Sequence, residues 1–307
     1  MTKLRFALFL AVPLIWGCDR VEEGDGVLLR FNYAAGEQYI YEMRDDLHRE
    51  YNAEMVRSNG DASETKDGLC SKNQNQTIEM QVREAEDDLY RFQVSYKVTS
   101  DSVGPGDTCD KKYHDKYRKR IVGKKWLYAL QMRSNGEVVA VEGENEEETQ
   151  LYQRNYISRQ PIFPDYKINP GFKWKHKINL KIPDSDPIPV VIKYKFTHYD
   201  TINSYPCAVI EYWSEFEKKT DMTGTRWNKE KFKKYIVHNT TNSVGKLYFA
   251  IQKGVMIQTE SKINQTFAWE VIRSDGLAET GSSEMTDIER VALVSAKDDD
   301  TASLSER

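Results

Sequence analysis

Five apolar side chains at period two, Tyr90, Phe92, Val94, Tyr96 and Val98, are separated by Arg91, Gln93, Ser95 and Lys97. Successive residues of a strand point to opposite faces, so this segment has one apolar face and one wet face. A helix would scatter the same residues around its axis. The pattern recurs in Leu29, Phe31 and Tyr33; in Tyr39, Tyr41 and Met43; and in Ile78, Met80 and Val82. It returns in Trp126, Tyr128, Leu130 and Met132, then in Ile192, Tyr194, Phe196 and His198, and in Phe267, Trp269 and Val271. One-sided alternation belongs to antiparallel sheet. It predicts a mainly β chain: large antiparallel sheets or a half-open barrel of long meandering strands, with one short helix around 145–157.

Turn chemistry punctuates the strands. Asn135-Gly136 predicts a two-residue hairpin turn with positive φ at both positions. Lys253-Gly254 and the stretch from Asp200 to Pro206 predict further turns. Gly36 and Gly171 each stand before a strand, with Tyr39 and Trp174 three residues on. The polar residues from Tyr51 to Asn75 are expected to form a long surface loop. The helix is placed by Asn145 with Glu148, a capping-box pattern, and by acidic residues suited to a helix N-terminus. Pro161 bounds it, and the acidic run is a solvated helix start before it is a metal site.

Charged residues make up 30% of the chain and Tyr alone numbers 18, which argues for a folded, hydrophilic protein. The first residues suggest an address. Lys3 and Arg5 precede an apolar run from Phe6 to Trp16, followed by Gly17, Cys18 and Asp19. A basic start, a short apolar run and a small residue form a secretory signal, and the run is shorter than the roughly 20 residues of a membrane span. Ile15-Trp16-Gly17-Cys18 resembles the lipobox of bacterial lipoprotein precursors, with Trp16 where that family usually has a small residue. The resemblance implies lipidation of Cys18 and attachment to a membrane; which membrane stays open. Removal of Lys3 and Arg5 takes the net charge from −4 to −6. Of the other cysteines, Cys70 and Cys109 lie in polar stretches and are expected to pair in an oxidising compartment. Cys207 opens an apolar strand and is expected to be a buried thiol. The expected divisions are a signal at 1–17, a tether at 18–26, an N-terminal β region at 27–143, a helix and connector at 144–160, a C-terminal β meander at 161–295 and a polar tail at 296–307.

Several short phrases carry a second resemblance: Leu29-Arg30-Phe31, Ala35-Gly36-Glu37-Gln38-Tyr39, Pro161-Ile162-Phe163-Pro164, Pro170-Gly171-Phe172-Lys173-Trp174 and Gly245-Lys246-Leu247-Tyr248-Phe249. Together they resemble uncharacterised bacterial envelope proteins, many of them lipoproteins. This implies an antiparallel β architecture and brings no catalytic residues with it. At the level of fold alone, the pattern is similar to lipoprotein-carrier half-barrels whose concave face holds acyl chains.

The sequence shows no chemistry of its own. The five histidines are scattered without metal-ligand spacing, and His198 is expected on the apolar face of its strand. There is no nucleophile elbow, P-loop or dinucleotide fingerprint, and no cofactor is expected. Lys111, Lys112, Lys116, Arg118, Lys119 and Arg120 form a basic stretch interleaved with Tyr113 and Tyr117. Export argues against nucleic acid as its partner. Contact with anionic headgroups is the functional reading, and a solvated, lysine-protected strand edge is the simpler one. The expectation is a lipid-anchored, non-enzymatic envelope protein that binds a hydrophobic ligand or an envelope partner. A scaffold without a ligand and an extracytoplasmic hydrolase are the alternatives.

Overall fold

The computed structural model describes residues 26–57, 63–104, 111–145, 149, 160–180, 188–223 and 231–297. Alternation is realised as eleven strands: β1 Gln38–Arg57, β2 Ser63–Glu86, β3 Leu89–Val103, β4 Lys125–Arg133, β5 Val138–Glu142, β6 Lys173–Leu180, β7 Ile188–Ile202, β8 Tyr205–Asp221, β9 Phe232–Ala250, β10 Val255–Arg273 and β11 Leu277–Lys297. All are antiparallel and belong to one sheet, in the order β5-β4-β3-β2-β1-β11-β10-β9-β8-β7-β6. Strands that pair are neighbours in sequence except at one seam, where β1 pairs with β11 along its whole length. That seam joins the N-terminal and C-terminal β regions into a single surface.

The sheet is a half-open barrel. Its end strands, β5 and β6, do not pair, yet side chains of Val94 and Tyr128 from one half share a core with Tyr194, Phe196 and Ile210 from the other. The core gathers at one end, where β1 and β10 begin and β2, β4 and β9 finish. Phe31, Phe92, Phe196 and Phe249 are fully buried there. From this packed end the central strands run on. At about 3.3 Å per residue, the 24 residues of β2 span roughly 80 Å, against about 30 Å for the nine of β4.

Residues 27–34 close the packed end without joining the sheet. Val27, Leu29, Phe31 and Tyr33 face inward, as their alternation predicts. The segment is pinned at intervals. Val27 exchanges both backbone hydrogen bonds with Ile168, Phe31 N donates to Ser134 O (2.7 Å), and Asn32 N donates to Gly254 O (3.0 Å). The phenol of Tyr90 donates to Phe31 O (3.0 Å). Phe31 stacks on Phe163 and meets Phe249 edge-on. The β4–β5 turn, the β9–β10 turn and the chain before β6 are thus tied to one crossing segment.

Four sequence expectations are corrected. Within the expected loop from Tyr51 to Asn75, residues 51–57 and 63–75 are instead the paired outer parts of β1 and β2. Both faces of that hairpin are largely polar, so hydropathy gives no alternation to read. The basic stretch is an α-helix, α1 (Lys111–Ile121), rather than a strand edge. Lys and Arg are good helix formers, Arg118, Lys119 and Arg120 complement the negative helix C-terminus, and Ile121 is buried against the sheet. His198 is exposed, because the register shifts between Phe196 and His198 and Tyr199 takes the inward phase. At Asn135-Gly136 only Gly136 has positive φ (94°). The turn ends in that left-handed glycine, the bulged alternative to the two-residue form.

The predicted helix over 145–157 lies outside the described residues apart from Asn145 and Thr149, where Thr149 N donates to Asn145 O (2.9 Å) at helical spacing. Gly36 and Gly171 both have positive φ (92° and 94°) and each leads into a strand, β1 and β6.

Candidate functional site

The concave side of the sheet encloses a cavity of about 670 Å³, within the usual range for small-molecule sites. Its floor is the aromatic plug, Phe31 and Tyr33. One wall comes from β1, β2 and β11, and the facing wall from Tyr96, Val98, Trp126 and Tyr128 of β3 and β4. Tyr212 of β8 and Met256 of β10 reach it from the other half of the sheet. The C-terminal end of α1 completes it with Arg120 and Ile121. The helix is held there by Gly123 N donating to Val98 O (2.9 Å) and by a parallel bridge between Val98 and Val122.

Polarity changes partway up the wall. Reading from the floor, β1 contributes Tyr41, Met43 and then Asp45. On β2 the order is Met80, Ile78, then Gln76 and Gln74, and on β11 it is Val291, then Glu289. Asp45 stands in register with Gln74 on one side and Glu289 on the other. The row continues across the sheet through Ser261, Gly245, Tyr212 and Tyr194 to Trp174. Half of it is acid and amide, the other half aromatic, with Gly245 between. Trp174 stacks on Tyr194 (5.1 Å), and its indole N–H donates to Ile162 O (2.9 Å). Burial, with Tyr212 adjacent, pushes the Tyr194 phenol well above its ordinary range.

A hydrogen-bond relay sets the direction of the amides. Lys72 Nζ pairs with Asp101 Oδ1 (3.2 Å). The same oxygen accepts from Gln74 Nε2 (3.1 Å), and Gln74 Oε1 accepts from Gln76 Nε2 (2.6 Å). A carboxylate only accepts, so Asp101 fixes which end of Gln74 faces it. Gln74 in turn fixes Gln76. The relay therefore ends in an acceptor, Gln76 Oε1, buried at the cavity without a hydrogen-bond partner among the described residues. Asp45 Oδ1 is likewise buried and without one among them.

Of the residues singled out from sequence, Cys18 and Cys109 lie outside the described residues. Cys70 is disulfide-bonded. Cys207 is a free, buried thiol, as expected, and burial raises its pKa. On α1, Lys116, Arg118, Lys119 and Arg120 are exposed. Lys111 and Lys112 belong to its first turn. Arg120 lines the cavity. Asp45, Gln74, Gln76 and Glu289 were not picked out, although a signal exists. Each continues the apolar phase of its strand with a polar residue. Among the described residues no helix is long and apolar enough to cross a membrane.

No protein-family model matches the chain. No curated protein sequence matches it. Among solved structures it is similar to a protein from Bacteroides fragilis described as exported and of YmcC-like fold, with 12% identity over 88% of this chain and 99% of that one, at a TM-score of 0.30. It is also similar to an outer-membrane channel from Pseudomonas putida F1, with 8% identity over 89% of this chain and 100% of that one, at a TM-score of 0.23. OccK7 (OpdD) from Pseudomonas aeruginosa shows 7% identity over 86% of this chain and 100% of that one, at 0.22. At these scores the likeness assigns no function to the chain.

Proposed function

We propose that the chain is a non-enzymatic binding protein of the bacterial envelope, tethered through lipid on Cys18, that holds an apolar ligand within its curled sheet. The observation that carries the binding reading is the 670 Å³ cavity walled by Tyr41, Met43, Ile78 and Met80 on one side and by Tyr96 and Trp126 on the other. A scaffold with no ligand has no use for such a space, because interiors otherwise pack densely. The envelope reading rests on the export signal and the lipobox-like Ile15-Trp16-Gly17-Cys18. Two or more acyl chains on one cysteine give stable anchoring. The exposed cations of α1 suit an anionic membrane surface.

Mass spectrometry of organic extracts from the purified protein tests the binding reading. A small apolar molecule should co-purify and be lost from a Met43→Trp variant that fills the cavity. No extractable molecule, together with no response of tryptophan fluorescence to added alkyl compounds, would overturn it. Cys18→Ser should move the protein from the membrane to the soluble fraction; unchanged fractionation would overturn the anchor.

A further inference from the structure

We propose that the cavity selects an amphiphile with a protonated amine head group, its apolar part toward Phe31 and Tyr33 and its ammonium between Asp45 and Gln76. This rests on the cavity being a ligand site. Three adjacent strands, β2, β1 and β11, change from apolar to polar partway up the wall, β1 and β11 at Asp45 and Glu289 and β2 one inward position nearer the floor, at Gln76 opposite Met43. An apolar ligand would leave that level unmatched, whereas an amphiphile matches both parts of the wall.

The head group follows from what the polar level offers. Gln76 is 4% exposed, and its outward atom is an acceptor fixed by the relay from Asp101. Asp45 Oδ1 is a second buried acceptor, and the Glu289 carboxylate stands next to Asp45 in register. A buried acceptor without a donor is unfavourable, and the one at Asp45 belongs to a carboxylate. A primary ammonium supplies both needs, with a positive charge and three donors. A ligand carboxylate or phosphate supplies neither. Among the described residues no group of three or more His, Cys, Asp or Glu is arranged to hold a metal ion, which favours an organic cation. The cations at the cavity, Arg120 and Lys124, are both exposed, and Lys124 already lies over the Trp126 ring (5.1 Å). Charge at such exposed positions is screened more than at the buried level.

Chain-matched probes test this: dodecylammonium, dodecanol and dodecanoate, titrated calorimetrically at neutral pH into the delipidated Cys18→Ser protein. Dodecylammonium should bind about ten-fold tighter than dodecanol, the worth of one charge-assisted hydrogen bond, with dodecanoate weakest. Asp45→Asn, which keeps the size of the side chain, should bring the ammonium close to the alcohol. Gln76→Leu should weaken the ammonium more than the alcohol. Equal binding of all three probes, tighter binding of the carboxylate, or an unchanged ammonium preference in Asp45→Asn would overturn the head-group assignment while leaving the cavity a binding site. Failure of all three to bind would remove both.

Discussion

The ring of Tyr212 on β8 lies across Gly245 on β9, its direct cross-strand partner, and fills the space a side chain there would need. The same pairing joins Tyr51 to Gly68 and Trp269 to Gly281. Glycine weakens a strand by lacking a side chain to pack; an aromatic ring laid over it restores the contact. Gly245→Ala should therefore destabilise the protein by about 1–3 kcal/mol, as overpacking does. In a Tyr212→Ala background the same substitution should cost much less. A double-mutant cycle by urea denaturation measures the difference, and full additivity would show that the ring does not depend on the glycine.

Gly254 and Gly171 both adopt positive φ, at 66° and 94°, but their surroundings differ. A Cβ at Gly171 meets nothing within 4 Å, whereas at Gly254 it would lie 2.6 Å from Asn32 N and 2.8 Å from Arg30 O. Both alanine variants should incur the left-handed penalty of about 1–2 kcal/mol. Gly254→Ala should exceed Gly171→Ala by a further ~1–3 kcal/mol, because the crossing segment must shift. Equal unfolding midpoints for the two would show that residues 27–34 yield freely.

Phe31 should dominate the packed end. It is 1% exposed, faces Tyr33, Phe163 and Phe249, and belongs to the segment that closes the sheet. Phe31→Ala is expected to cost about 3–5 kcal/mol. Thermal unfolding would show it, and a loss under 1 kcal/mol would place the crossing segment outside the cooperative core.

Asp88 ties the β2–β3 turn to the β4–β5 turn. Its carboxylate accepts from the Ser134 hydroxyl and the Ser134 amide (3.3 Å), and Arg133 lies 3.4 Å away. The Ser134 hydroxyl, ahead of the other partners, holds its pKa below the ordinary 3.8. A lowered folded-state pKa gives stability that is present above the unfolded value and lost as pH falls through the folded one. Asp88→Asn should be less stable than the parent at pH 7, and the gap should close as the pH falls below the ordinary carboxylate range. A gap that persisted in acid would assign the effect to shape.

Cys70 is bonded and Cys207 is a buried thiol. Peptide mapping under non-reducing conditions should join Cys70 to Cys109. Cys207 should resist alkylation in the native protein and react once it is unfolded, since burial raises its pKa and blocks access. A Cys70 peptide linked to any other cysteine would overturn the pairing.

Much of the architecture is legible in the sequence. The alternation in Tyr90 to Val98 and in Trp126 to Met132 becomes β3 and β4 with the expected side inward. The Leu29, Phe31, Tyr33 face is buried as read, although the segment crosses the sheet instead of joining it. These elements follow from local periodicity, since burial of one face is enough to specify them. His198 shows its limit. A single extra residue at the Phe196 shift reverses every side chain beyond it, and pattern alone does not announce a bulge.

Other features depend on partners far away along the chain. Gly68 looks like a loop residue until Tyr51 is laid across it, so residues 51–57 and 63–75 become strand only through pairing. The seam of β1 with β11 joins Asp45 to Glu289, 244 positions apart in sequence. Neither residue marks itself as part of a site. A carboxylate on a strand is usually solvated, and only the curl of the sheet places these two, with Gln74 and Gln76, on the wall of one cavity. Chain-local physics settled that this protein is an antiparallel sheet with a wet side and a dry side. Long-range register, which no local preference encodes, decided that the dry side surrounds a space and that its wall turns polar partway up.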